Sequence, residues 1–163
     1  VYAFGATGML TCVDGATGTP RWQKNVVKDF ASQVPEWGYS ISPVVWRNLV
    51  VVNAGYADNQ SDSGRAVFAV DRSTGVRKWT EGATPAAYAS PLVVTLGGTE
   101  QVLVFDAYGL GGYDPQKGTE LWRFPWKTPM DMNSAQPVVV GPDRVFVSSE
   151  LGNGGAVGEV KRA

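Results

Sequence analysis

Apolar residues in this chain come in short, dense runs separated by polar turn formers. Ser42–Val45 reads SPVV, Ser90–Val94 reads SPLVV and Gln136–Val140 reads QPVVV: a small polar residue or amide, a proline, then branched apolar side chains. Runs of this length predict buried strands, with proline at the entrance, where no ladder donor is lost. A second run follows each, as NLVVVN at Asn48–Asn53, QVLVFD at Gln101–Asp106 and RVFVSS at Arg144–Ser149. The turns between first and second runs fall at Arg47 with Asn48, at Gly97 with Gly98, and at Gly141 to Asp143. Third strands are predicted at Ala66–Asp71 (AVFAVD) and, with weaker patterning, at Leu110–Asp114 (LGGYD). Val26–Gln33 has the best helical pattern in the chain and predicts a turn or two within a loop.

Each third strand runs into a segment that the chain writes three times, as DGATGTPRW (Asp14–Trp22), DRSTGVRKW (Asp71–Trp79) and DPQKGTELW (Asp114–Trp122). Asp, Gly and Trp keep their spacing while most other positions vary. The aspartates Asp14, Asp71 and Asp114 can accept backbone N–H groups two or three residues on, and Gly18, Gly75 and Gly118 can adopt the positive φ that such a turn demands. Trp22, Trp79 and Trp122 then emerge from a fourth, outer strand, where a flat ring can lie against the neighbouring sheet and bury on the order of 200 Å². All nine are read as structural residues that dock one sheet on the next. Four short antiparallel strands, repeated at roughly 40 to 50 residues, predict an all-β chain of β-propeller blades. The expected organisation is one partial propeller domain over 1–163: a blade remnant at 1–24, a loop at 25–40, blades at 41–80 and 89–124, and an incomplete blade at 134–163.

Composition narrows the chemistry. The 163 residues, 44% of them hydrophobic, suffice for a real core. Lys and Arg number 14 against 15 Asp and Glu, a net charge of -1 that gives no basic footprint, so nucleic acid is not an expected partner. The chain has no histidine, which removes the usual general base and every Ser-His-Asp or HExxH constellation. Cys12 is the only cysteine, so neither an internal disulfide nor a cysteine zinc cluster can form. No apolar run is long enough to span a bilayer. DNQSDSG (Asp58–Gly64) has part of a calcium-loop pattern, but its Gly comes one place late and Ala69 stands where the closing Glu belongs. GLGGYD (Gly109–Asp114) lacks GxGxxG spacing and reads as a tight turn.

The segments CVDGATGTPRW, AVDRSTGVRKW and GYDPQKGTELW resemble the tryptophan-docking motif of pyrroloquinoline-quinone-like (PQQ-like) β-propeller repeat proteins. The resemblance covers essentially the whole chain and implies about half of an eight-bladed ring, a fragment whose first partners are the remaining blades. It implies a periplasmic or secreted protein. Some members are quinoprotein alcohol dehydrogenases with a quinone, a calcium ion, an aspartate base and two adjacent cysteines, a pair that solitary Cys12 cannot supply. Others are noncatalytic, among them an outer-membrane assembly lipoprotein and sensor domains. The expected function is therefore a noncatalytic binding or scaffolding surface with no cofactor and no metal; the alternative is part of a PQQ- and calcium-dependent dehydrogenase.

Blade topology indicates where a ligand would meet such a surface. Loops leaving each fourth strand share a face with loops joining second and third strands. This groups Asn25–Ser40, Glu81–Tyr88 and Phe124–Asn133 with Gly55–Arg65, Asp106–Gly109 and Glu150–Gly155. The face is rich in aromatics, with Trp37, Tyr39, Tyr56, Tyr88, Tyr108 and Trp126, and has Lys127, Asp131, Asn133 and Glu150 nearby. Exposed rings with amides and carboxylates suit a sugar, a quinone or a peptide segment, bound as a protein or small-molecule ligand. The candidate ligand-binding residues are Trp37, Tyr39, Tyr88, Trp126, Asp131, Asn133 and Glu150.

Overall fold

A computed structural model describes residues 1–55, 66–150 and 152–161. Tyr56 and the Asp58–Gly64 loop lie outside the described residues. The strands form four antiparallel sheets of consecutive strands: β1 (Tyr2–Phe4), β2 (Met9–Val13) and β3 (Pro20–Asn25); β4 (Val44–Trp46), β5 (Leu49–Asn53), β6 (Val67–Asp71) and β7 (Arg77–Glu81); β8 (Leu92–Leu96), β9 (Thr99–Asp106), β10 (Gly109–Tyr113) and β11 (Glu120–Pro125); and β12 (Val138–Val139), β13 (Arg144–Ser149) and β14 (Gly154–Glu159). This is the blade pattern of a partial β-propeller. No helix among the described residues is long and apolar enough to cross a membrane.

The unbroken apolar runs have a packing reason. A strand covered on both faces needs apolar side chains at every position. In β5, Val50 and Val52 join Leu10, Phe30, Phe68 and Val70 between the first and second sheets. Leu49 and Val51, pointing the other way, join Val67, Ala69, Val102, Val104 and Tyr113 between the second and third. Leu103, Phe105 and Leu110 then meet Val145 and Val147 of the fourth sheet. The core is thus three slabs between successive blades, and at about 25 cal/mol per Å² the burial of these strands is what orders the stack.

The three Asp-Gly turns have one geometry. Asp14 Oδ1 accepts the Ala16 and Thr17 N–H groups at 3.0 and 3.1 Å, Asp71 Oδ1 those of Ser73 and Thr74 at 3.0 and 3.1 Å, and Asp114 Oδ1 those of Gln116 and Lys117 at 2.8 and 3.0 Å. The glycines stand at φ 71°, 69° and 81°. The Trp22 indole lies on Gly75 of the next sheet and donates to the Arg72 carbonyl at 3.0 Å. Trp79 repeats this one blade on, lying on Gly118 and donating to the Pro115 carbonyl at 3.1 Å. Trp122 differs. Its N–H stays within its own sheet, 2.6 Å from Gln101 Oε1, and the ring sits over Gly112, where a Cβ would collide with it.

The predicted helical turn is shorter than its pattern. α1 spans Val26–Phe30, opened by Asn25, whose side chain accepts the Val27 and Lys28 N–H groups, and closed by Ala31 at φ 55°. It seats Val26 and Phe30 in the first slab and sends residues 31–40 across the loop face.

Candidate functional site

Three blade-to-blade loops converge on that face: 31–43 after α1, 82–91 between β7 and β8, and 126–137 between β11 and β12. They enclose a cleft of about 230 Å³, with Pro35 and Glu36 from the first loop, Pro85 and Tyr88 from the second, and Met130 and Asp131 from the third. The Trp37 ring, 52% exposed, meets the Tyr88 ring at its edge, with centroids 5.8 Å apart and planes tilted by 52°. Met130 and Asp131 are successive non-glycine residues in the left-handed region, at φ 58° and 57°. Such backbone costs of order 1 kcal/mol or more per residue and persists only where surroundings over-determine it.

Those surroundings centre on Asn133. Its side chain is fully buried and donates to the Asp106 carbonyl at 2.8 Å and the Trp126 carbonyl at 3.0 Å, while its Oδ1 accepts the Ser149 hydroxyl at 2.6 Å. Its own carbonyl accepts the N–H groups of Tyr88 and Ala89, both at 3.0 Å. One residue therefore fastens four loops. Gly55 adds another close approach, since a Cβ there would run into the Ala86 backbone.

Behind the second loop lies a buried ionic cluster. Asp106, with no side-chain exposure, accepts the Thr84 hydroxyl at 2.6 Å, the Tyr108 and Gly109 N–H groups at 2.9 and 3.1 Å, and Arg123 Nη1 on both oxygens at 3.1 and 2.9 Å. Arg123 also reaches the Tyr113 hydroxyl at 2.6 Å and Glu120 at 2.8 Å, passing over Gly111, where a Cβ would stand 3.1 Å from its Nη2. Burial pushes the Asp106 carboxyl up, opposed by the Arg123 charge. Burial acts to lower Arg123, but its bond to Glu120 and the Asp106 charge outweigh this and hold it raised. With every Asp106 oxygen bonded, the cluster is a rivet between the Thr84 loop and the third sheet rather than a free acid or base.

The seven candidate residues thus part company. Tyr88 and Asp131 line the cleft, and Trp37 packs on Tyr88 at its margin. Tyr39, expected as an exposed ring, is instead buried: its hydroxyl donates toward the Gln33 and Ala54 carbonyls, both at 2.8 Å, and its ring meets Phe4 at 4.7 Å. Asn133 is inside, as described. Trp126 packs on Phe124 and bonds Ser149 at 3.0 Å, toward the fourth sheet. Glu150 is exposed and does not line the cleft. Sequence reasoning missed Glu36 and Met130, whose signal was a proline immediately before each (PEW and PMD), marking loops held in fixed turns.

A family model described as outer membrane protein assembly factor BamB matches residues 1–163. The chain belongs to this family of PQQ-like propeller proteins. Among solved structures it is similar to BamB from Moraxella catarrhalis, at 17% identity and a TM-score of 0.60 over 98% of this chain and 49% of that one. It is also similar to the quinohemoprotein alcohol dehydrogenase ADHIIG from Pseudomonas putida HK5, at 22% identity and a TM-score of 0.52 over 76% of this chain and 19% of that one. The quinohemoprotein alcohol dehydrogenase from Comamonas testosteroni aligns at 20% identity and a TM-score of 0.51, again over 76% and 19%. No curated protein matches the chain. The family's propeller is common to all three structures, and the chain spans about half of the BamB structure and a fifth of the dehydrogenases.

The quinone alternative can be tested against the residues present. Among the described residues no group of three or more acidic, His or Cys side chains is placed to hold an ion. Cys12 is buried in β2, and Asp106, the most enclosed carboxylate, has its oxygens filled by Arg123, Thr84 and backbone donors. These residues do not fit a calcium-bound quinone.

Proposed function

We propose that the chain is a noncatalytic binding module, a propeller segment whose loop face takes up a protein or small ligand, packed in its parent against further blades. The supporting observation is the cleft itself, where three successive loops, the first tied down by Tyr39 and the other two by Asn133 and the Asp106 cluster, bring Glu36, Tyr88 and Asp131 around an open hollow with Trp37 at its margin. A rigid frame beneath exposed rings is what binding needs, because little side-chain or loop ordering is left to oppose association. The family model is described by an outer membrane protein assembly factor, which supports assigning this chain to the periplasm or the cell exterior.

Two measurements test the reading. Given PQQ, calcium, a short-chain alcohol and an artificial electron acceptor, the chain and any longer protein containing it reduce no acceptor; turnover would overturn the noncatalytic assignment. Displayed random peptides panned against the chain yield binders at least tenfold weaker for Trp37→Ala, a substitution at an exposed ring that leaves the fold intact. Binders indifferent to both Trp37 and Tyr88, or none at all, would overturn the assignment of this face.

A further inference from the structure

The cleft has a chemical bias beyond its shape. Glu36 and Asp131 both line it, neither side chain is in an ion pair among the described residues, and no lysine or arginine lines it. The Tyr88 hydroxyl registers the resulting field: burial is the main cause that raises its pKa, a hydrogen bond from the Trp37 backbone opposes this, and the Glu36 and Asp131 charges add to the rise. Tyr88 lines the cleft with the carboxylates, and Trp37, just outside the lining, packs on the Tyr88 ring at a tilt. Carboxylates and ring faces attract the same kind of group, a cation that can be partly desolvated.

Size and rim narrow the occupant. Small-molecule sites usually run from about 300 to 1,000 Å³; at about 230 Å³ this cleft is below that range and suits a single long side chain. Around the mouth, Val34 and Met130, the latter 59% exposed, offer apolar surface to residues on either side of that side chain. A free amine would leave this rim uncovered, whereas an extended polypeptide covers it.

Resting on the binding-module reading, we infer that the cleft between the three loops recognises an arginine or lysine side chain presented by an extended segment of a partner protein, with Glu36 and Asp131 as the anionic wall and Tyr88, backed by the exposed Trp37 ring at the margin, as the aromatic wall. Arg gains most, because its planar guanidinium stacks on a ring while bonding a carboxylate. A small anionic ligand meets repulsion at the same place.

The probe is a set of synthetic peptides, Ac-GSPLXLPSG-NH2 with X as Arg, Lys, citrulline or Glu, titrated into the isotope-labelled chain while the Trp37 indole N–H resonance is followed. The Arg peptide shifts that resonance, binds about threefold to tenfold more tightly than citrulline, and outbinds Glu by more, as one exposed cation–π contact and one surface ion pair allow. Glu36→Gln and Asp131→Asn each remove much of the Arg advantage and leave citrulline binding unchanged, and added salt does the same. Equal binding of Arg and citrulline peptides, or an Arg peptide that leaves the Trp37 resonance in place, overturns the inference. The panning experiment stands apart from this result: Trp37-dependent binders without basic residues would sink the cation assignment and leave the binding face standing.

Discussion

Alanine at the three turn glycines separates two costs that usually arrive together. Gly18, Gly75 and Gly118 share nearly the same backbone, at φ 71°, 69° and 81°. An alanine Cβ in that region costs about 1 to 2 kcal/mol of strain, offset in part by the lower entropy of the unfolded chain. At Gly18 nothing lies within 4 Å of the added carbon, so Gly18→Ala reports that strain alone, roughly 1 kcal/mol. At Gly75 the carbon falls 2.8 Å from the Trp22 ring, and at Gly118 it falls 2.5 Å from the Trp79 ring. Ordinary contact needs a separation nearer 3.5 to 4.0 Å, so the Trp79 ring must move by about 1 Å, weakening its bond to the Pro115 carbonyl. Overpacking of this kind adds about 1 to 3 kcal/mol, which places Gly118→Ala at roughly 2 to 4 kcal/mol and Gly75→Ala between the two. Trp79→Ala, which removes a partly buried ring, costs roughly 3 kcal/mol. In the Trp79→Ala background Gly118→Ala falls back to about 1 kcal/mol, a coupling of about 1 to 3 kcal/mol. Urea denaturation followed by far-ultraviolet circular dichroism measures all of these without relying on tryptophan emission. Equal costs at Gly18 and Gly118, or a cycle with no coupling, would show that the indole is not seated on the turn.

Asn133→Ala leaves the Asp106 and Trp126 carbonyls without their buried donor; it is expected to cost about 2 to 4 kcal/mol and to speed hydrogen exchange at Tyr88 and Ala89. Unchanged exchange there would remove Asn133 from its role as fastener. Acid also acts on the turns. The Arg21 hydrogen bond holds the Asp14 carboxyl well below its ordinary value of 3.8, and backbone N–H donors, Ser73 first, lower that of Asp71. A lowered folded-state pKa stabilises above the ordinary value and loses that contribution as pH falls through the folded one, so the melting temperature should drop below about pH 4. Asp71→Asn should flatten that drop; a profile identical to the parent's would refute it.

The architecture was legible in the sequence because strands covered on both faces leave little choice of residue. Leu49 to Val52 fill two slabs at once, and no polar substitution escapes notice there. The loop face was legible only in outline. Trp37 and Tyr39 are both aromatic and two positions apart, yet one is exposed and the other buried. Gly38, at φ 77°, turns the chain between them, and the Tyr39 N–H bonds the Ala6 carbonyl in the turn between β1 and β2, a long-range contact that no local pattern encodes. Asn133 was hidden for the same reason: a polar loop residue reads as a surface group until the four loops that enclose it are assembled. Trp122 keeps its spacing but bonds Gln101 in its own sheet, so an identical motif has two different outcomes depending on what lies opposite.

Because the buried Asn133 and Tyr39 fasten the loops while the side chains of Val34, Glu36 and Trp37 face outward, recognition and folding can change largely independently here. Positions 34 and 36, with 37 at the margin, form a replaceable lining on a permanent mount, whereas 130 and 131 are bound to residues that tolerate left-handed backbone. A designer or natural selection could give the same hollow a new preference by rewriting the letters of the first loop, with little effect on the melting behaviour of the whole.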